Sequence, residues 1–378
     1  MRGTVMKTVC GNGKCAGCMV CVEGCAKGAI QVVDEWKDYT AIVDEEKCVA
    51  CEVCFKVCPS KNTRELIYPT QWYQGWASEA QVRQQGASGG VATAISQAFI
   101  KKGGVVSGCV FDGGKFVFEL ARTVEEVKRF AGSKYVKSNP QGIYKRIEAE
   151  LKQGKEVLFI GLPCQVAAVK NYVSTKFAEQ LYTIDLICHG TPSPKTLENF
   201  LQQYGYSMMT SCDIQFRRKG LFQLCNEGRE IIKPGVTDRY LIAFLEAVTY
   251  TDNCYTCSYA KNERVADITL GDSWGTELSW QEQKSGISLL LCQTSKGTQL
   301  LEQTELELKS VDLERAIAHN QQLREPAAKP KKRDVFFANV KRGKKFNREI
   351  LKVSPKQCIK QEVKRVLIMM TGKFRESI

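Results

Sequence analysis

Eight cysteines within the first 58 residues repeat one spacing twice, and very few folds accommodate that arrangement. Cys15, Cys18, Cys21 and Cys25 read C-x2-C-x2-C-x3-C; Cys48, Cys51, Cys54 and Cys58 repeat the run, with Pro59 behind it. Three thiolates at i, i+3 and i+6 wrap one corner of a cubane in a tight loop, and the fourth must come from elsewhere. This is the bacterial run for two [4Fe–4S] clusters, in which the fourth cysteine of each run ligates the other cluster. The pattern assigns Cys15, Cys18, Cys21 and Cys58 to one cluster, and Cys48, Cys51, Cys54 and Cys25 to the other. Zinc fits less well, because it favours paired CxxC or mixed Cys/His ligands at wider spacing. Ala26 stands where the first run often carries proline, and Cys10 is surplus to the pattern, read as a free thiol.

The chain has 378 residues, enough for two or three domains, and 18 cysteines. Its opening, MRGTVMKTVCGNGK, holds no apolar stretch of the kind a secretory signal needs, so a reducing, cytoplasmic setting is expected. The apolar run Val366–Met370 is far below the roughly 20 residues that span a bilayer. With only His189 and His319, histidine-rich metal sites and His-based triads are not expected, and the hard chemistry falls to a cofactor. A net +12 of the chain's +13 lies between Lys329 and Ile378, where 16 Lys and Arg face 4 Asp and Glu.

Residues 1–62 read as an α+β ferredoxin-like module, with short strands at 29–33 and 40–43. Residues 63–82, with Trp72, Tyr73 and Trp76, read as a connector. From residue 83 to 328 strands and helices alternate as in an α/β domain. A helix is expected over 91–101, a strand over 105–111, and a helix over 123–130 capped by Thr123 and Glu126. Another helix covers 142–154, a buried strand 156–161, a helix opens at Pro163, and strands follow at 181–187 and 267–270. This order implies parallel strands with right-handed crossovers. Residues 329–378 form a basic, helical C-terminal tail.

Cys164 and Cys188 then fall just beyond the carboxyl ends of consecutive strands, where ligand sites of open α/β sheets lie. Cys254 and Cys257 add a CxxC before a further strand. Four cysteines on three loops either supply a third cubane or are ordinary buried thiols.

The stretches GASGGVATAI (86–95), AGSKYVKS (131–138), GLPCQVAAVK (161–170), DLICHGTPSP (185–194), CYTCSYAKNERVADITLGDSWG (254–275) and SGISLLLCQT (285–294) resemble the beta subunit family of coenzyme F-420 hydrogenase/dehydrogenase. The resemblance implies a flavin-binding domain with FAD and a third [4Fe–4S] cluster on Cys164, Cys188, Cys254 and Cys257. It also implies an oxidoreductase that takes electrons from ferredoxin or another redox protein and exchanges hydride with an organic molecule or F-420. Ser88, Gly89 and Gly90 at a helix mouth let backbone N–H groups approach a phosphate, with Thr93 one turn on. Ser133, Lys134 and Tyr135 offer a hydroxyl, a cation and an aromatic face, the lysine suited to a reduced flavin's N1–C2 edge. Asp272 and Trp274 end a strand on the same side. His189 is a candidate donor beside Cys188, and Arg217, Arg218 and Lys219 form a basic turn read either as a substrate contact or as solvated.

Within the tail, Cys358, Ile359, Val363, Val366, Leu367 and Met370 recur at near-helical spacing between lysines, a pattern that suits an anionic membrane surface, an acidic partner, or a solvated helix packed on its own domain. Its charge alone does not indicate nucleic acid, since no recognition module accompanies it. Two other readings stand beside the enzyme: an electron-transfer subunit without its own substrate, and a partner-binding module in a surface-glycan pathway.

Overall fold

The computed structural model describes residues 7–219, 221–232 and 235–371. In the N-terminal module the repeat in sequence is a repeat in backbone. The residue after the second cysteine of each run, Met19 or Glu52, is left-handed (φ 58° and 61°) and opens a five-residue helix, Val20–Gly24 or Val53–Val57. The two helices pack on each other. Between them β1 (Ile30–Asp34) and β2 (Tyr39–Val43) pair antiparallel, close to the expected limits.

An eight-stranded mixed sheet and a small three-stranded sheet form the rest. In chain order the strands are β3 (Gln71–Ala77), β4 (Val105–Asp112), β5 (Lys115–Ala121), β6 (Val157–Gly161), β7 (Leu181–Leu186), β8 (Ile214–Arg218), β9 (Leu221–Asn226), β10 (Arg229–Glu230), β11 (Ile268–Asp272), β12 (Ser288–Cys292) and β13 (Leu306–Lys309). The large sheet runs β13-β3-β12-β11-β7-β6-β4-β5, and the small one β10-β9-β8. The strands β4, β6, β7 and β11 are mutually parallel, as the β–α–β order predicts; β5, β12, β3 and β13 add antiparallel edges. Buried runs such as Val157-Leu158-Phe159 and Leu289-Leu290-Leu291 read as central strands because helices or loops cover both faces. Thr123 and Glu126 form the expected capping box, on a helix of Val124–Lys128. The helix opened by Pro163, expected to run to about Phe177, stops at Tyr172, and a 3-10 turn follows at Thr175–Phe177.

One expectation is corrected and one open alternative narrows. The connector is not a linker: its aromatic stretch is β3, inside the sheet between β12 and β13. Gly75 is there because the backbone of β13 comes so close that a Cβ would lie 2.3 Å from the Glu307 carbonyl. For the basic segment, the reading that it packs on its own domain holds through the first two helices, Arg333–Lys341 and Phe346–Val353. Phe336, Phe337, Val340, Phe346, Ile350 and Cys358 bury themselves in one core with Phe200, Phe216 and Tyr240. The first two helices expose single apolar residues, Val335 and Leu351, whereas the last, Pro355–Thr371, exposes a series among its lysines: Ile359, Val363, Val366, Leu367, Met369 and Met370. Residues 372–378 of that segment, like residues 1–6, lie outside the described residues. Among the described residues no helix is long and apolar enough to cross a membrane.

Candidate functional site

The cysteines of the N-terminal module gather in two groups that mix the sequence runs. Burial raises the pKa of Cys21 to about 12, and the next contributions come from Cys15 and Cys58, so the last cysteine of the second run faces the first run. Cys18, also raised by burial, feels Cys21, Cys15 and Cys58. In the other group Cys54 is raised by burial, with Cys25 and Cys48 beside it. The first group is buried, whereas Cys51 of the second is exposed. Cys10 joins the first group from outside the pattern: its thiol hydrogen-bonds to Cys15 and Cys58, which raises its own pKa and lowers theirs.

A third group forms at the sheet. Cys164 opens the helix behind β6, Cys188 follows β7, and Cys254 and Cys257 belong to the 3-10 turn Asp252–Thr256 and its exit. All four border one cavity of about 370 Å3. Burial raises the pKa of Cys188, and Cys254, Cys164 and Cys257 add to that rise, so the four thiols share one neighbourhood. The fully buried Arg264 joins their loops, donating to the Tyr259 carbonyl (2.7 Å) and to Asp185 Oδ1 in β7 (3.1 Å). Thr251 Oγ1 lies 3.6 Å from Cys254 Sγ. Among the described residues no three His, Cys, Asp or Glu side chains converge closely enough to hold one metal ion. A cubane carries its thiolates on separate corners and suits sulfur-only groups of this kind.

Beyond Cys188 a second cavity, about 440 Å3, runs along the carboxyl ends of the strands. Its lining includes Ser88, Gly90, Thr93, Ser133, Lys134, Tyr135, His189, Asp272 and Trp274, so eight sequence-selected residues besides Gly90 meet in one place. Gly90, at φ 77°, starts the helix Val91–Lys101 without a side-chain cap, which leaves its first N–H groups facing the cavity mouth. Gly89 is a correction: its N–H is already bonded to Ser288 Oγ (3.0 Å), and its carbonyl accepts from Ala77 N, so it shapes the turn and offers no donor to a phosphate. Lys134 Nζ donates to the carbonyls of Phe130 (2.7 Å) and Ala131 (2.8 Å), which uses two of its three donors. Burial lowers its pKa. The Tyr135 ring stacks on Phe244 at 4.5 Å. His189 presents surface to both cavities, yet sits deep enough for desolvation to lower its pKa, with Asp272 opposing.

The same lining continues into an outer space of about 1580 Å3 that shares Ser88, Lys134, Arg217, Asp272 and Trp274. At the junction the basic turn proves to be structured. Arg217, its side chain 7% exposed, donates to Asp272 Oδ2 at 2.6 Å and lies over Phe222 and Trp274. Its buried Nε has no hydrogen-bond partner among the described residues. Lys219 Nζ donates to the carbonyls of Arg83, Ser88 (2.6 Å) and Ser285 (2.8 Å), tying the glycine turn to the loop before β12. Arg218 is the solvated member, paired with Glu230. Sequence reading left Arg217 and Lys219 undecided because a run of three cations carries no sign of which ones turn inward. Lys137, which borders the cysteine cavity, was missed; its only signal was its place in the stretch KYVKS.

Comparison with known proteins agrees with this division. Residues 14–62 match the 4Fe-4S dicluster domain. Over 60 residues the chain is 42% identical to a component of the ion-translocating oxidoreductase complex of Methanosarcina acetivorans, a stretch that makes up 16% of this chain and 21% of that protein. The chain therefore spans about a fifth of that relative's length. A chain of the F420-reducing [NiFe] hydrogenase complex from Methanosarcina barkeri superposes with a TM-score of 0.48 at 21% identity, over 68% of this chain and 91% of that one. Residues 72–141 match the N-terminal part, and residues 154–314 the C-terminal part, of one further family. The two matches together take in more than half of the chain, which thus belongs to the coenzyme F420 hydrogenase/dehydrogenase beta subunit family of oxidoreductases, joined here to an iron–sulfur domain.

Proposed function

We propose that this chain passes electrons between [4Fe–4S] clusters and a bound FAD, and exchanges hydride with an organic molecule or with F-420. The observation that carries this reading is a shared wall. Leu162, Cys188, His189, Gly190 and Thr191 border both the cavity of the third cysteine group and the cavity lined by the glycine turn. Carriers held on its two sides would be neighbours.

The residues fit such groups. The sulfur-only groups suit three cubanes, ligated by Cys15, Cys18, Cys21 and Cys58; by Cys48, Cys51, Cys54 and Cys25; and by Cys164, Cys188, Cys254 and Cys257. The uncapped helix start at Gly90 suits a phosphate, with Thr93 as a hydroxyl donor; the Ser88 hydroxyl is already given to the Ile287 carbonyl (2.7 Å). The buried, unpartnered Arg217 Nε suits an acceptor atom on a ligand in the cavity. FAD would supply the exchange between one-electron and two-electron chemistry. Lys134 holds a positive charge beside the cavity, and Asp272 fixes Arg217 at the junction with the outer space. The outer space is open enough to admit an organic molecule next to Trp274. A ferredoxin or other redox partner would approach at Cys51. The exposed face of Pro355–Thr371 is the part of the basic segment left to meet an anionic surface or an acidic partner.

Anoxic purification followed by iron, sulfide and flavin analysis tests the reading. It expects about 12 iron atoms and one FAD per chain. A protein with iron but without flavin would be an electron-transfer subunit only, and about eight iron atoms would remove the third cluster.

A further inference from the structure

Lys137 reaches from the oxidoreductase body into the cleft between the first and third cysteine groups. It is 4% exposed. Its backbone N–H is held by the Pro192 carbonyl at 2.8 Å, so the side chain departs from a fixed point. The ammonium donates to the carbonyl of Ala16 at 3.0 Å, inside the first cysteine run, and lies 5.3 Å from the centre of the Tyr39 ring. The stem fills the space over Gly17, where a Cβ would come within 2.9 Å of Lys137 Cδ. Lys137 also borders the cavity of Cys164, Cys188, Cys254 and Cys257.

Both groups lie on this side chain: Ala16 follows Cys15 directly in the first run, and Cys164 and Cys188 line the cavity that Lys137 borders. A carbonyl and an aromatic face hold the ammonium, and among the described residues it makes no salt bridge. A buried cation without a carboxylate is costly unless negative charge is supplied nearby. Clusters bound by four thiolates supply it.

We propose that Lys137 is a positioning residue shared by two clusters: it holds the loop of Cys15 and Cys18 against the third site and raises the reduction potential of both. The inference rests on the reading that both groups carry [4Fe–4S] clusters. Reduction adds one electron and no proton to a cluster, so its negative charge grows, and a cation in a poorly solvated cleft favours that state. Cys25, Cys48, Cys51 and Cys54 neither line this cavity nor adjoin Ala16, so Lys137 acts less on their cluster than on the other two. That difference favours movement of an electron inward from Cys51.

The experiment is an EPR-monitored redox titration of the anoxically purified full chain, comparing wild type with Lys137→Met, Lys137→Gln and Lys137→Arg. Methionine keeps the stem over Gly17, glutamine keeps a donor for Ala16, and arginine keeps the charge. In a neutral variant the equilibrium constants for reducing the first and third clusters fall about tenfold, 59 mV for a one-electron couple, and the remaining cluster shifts by less. Arginine returns the wild-type values. A neutral variant with full iron whose clusters all titrate as wild type overturns the proposal. Loss of iron from both neutral variants but not from the arginine variant shows the same charge dependence at assembly; loss from all three overturns it. Iron near eight per chain in wild type would instead remove the third cluster, and the shift at the first would still decide the role of Lys137.

Discussion

The Tyr144 hydroxyl donates to the carbonyl of Cys18 at 2.6 Å, joining the helix Ile143–Lys152 to the middle of the first cysteine run. One turn away the Glu23 carboxylate accepts from the N–H groups of Gly142 (2.8 Å) and Lys145 (2.6 Å) at the start of the same helix. Each module thus completes the other: the body satisfies a carbonyl of the cluster loop, and the loop's helix caps a helix of the body.

Tyr144→Phe leaves the buried Cys18 carbonyl without its partner. The cost is about 1–3 kcal/mol. Denaturant unfolding under anoxic conditions measures it, and the variant is expected to release iron earlier in the transition than wild type.

Glu23→Ala removes the acceptor for two N–H groups at a helix start and costs about 1–2 kcal/mol. Glu23→Gln retains an acceptor oxygen and falls between the two in the same unfolding assay.

Arg333 sits at 0% exposure, paired with Asp252 at 2.9 Å and donating to the carbonyls of Lys37 (2.8 Å) and Tyr250 (2.6 Å). Arg333→Met removes the donor to two carbonyls and leaves Asp252, beside the turn that carries Cys254, paired with Lys329 alone (3.1 Å); it is expected to destabilise the protein by about 1–3 kcal/mol. Truncation separates the two parts of the basic segment. Ending the chain before Lys329 removes Phe336, Phe337 and Phe346 from the core and yields no folded protein. Ending it after Cys358 removes the Gln361 acceptor of Thr237 N and the Glu362 partner of Arg239, and lowers the thermal midpoint without abolishing the fold.

Burial lowers the pKa of Lys219 from 10.5 to about 8, with the charges of Arg83 and Arg217 adding to the effect. Between those values the folded state binds fewer protons than the unfolded state, so this group's contribution favours folding above pH 10.5 and is lost as pH falls through about 8. Relative to Lys219→Met, wild type is expected to gain unfolding free energy as pH rises from 8 to 10. Parallel denaturation curves check the sign.

Arg217→Met leaves Asp272 partly buried without its cation, and Arg217→Lys restores charge but not the planar stacking on Phe222. Both variants are expected to retain their iron and lose flavin affinity, methionine by more than tenfold and lysine by less. Flavin release on dilution, read by fluorescence, gives the ranking.

The legible part of this molecule is the part in which chemistry fixes spacing. Eight cysteines at set separations imply the exchange of Cys25 and Cys58 between groups, and the structure brings those residues to the opposite runs. Cys164 and Cys188 were legible because strand ends in β–α–β order deliver their residues to one crevice. The interior role of β3 was hidden: Gln71-Trp72-Tyr73-Gln74 alternates weakly, and only the backbone of β13 explains Gly75. Arg333 was hidden for a related reason. A basic run reads as solvated surface, and nothing local marks the one guanidinium that finds a buried carboxylate. Lys137 depends on a contact made across 121 residues, beyond the reach of any spacing rule.

The unequal burial of the two N-terminal cysteine groups also has a bearing on survival in air. Cys51 meets solvent, while Cys15, Cys18, Cys21 and Cys58 lie beneath Cys10, Tyr39 and the docked body. Dioxygen would reach the outer cluster first, and damage would advance inward in a set order. The proposed port for electrons would also be the place where oxidation begins.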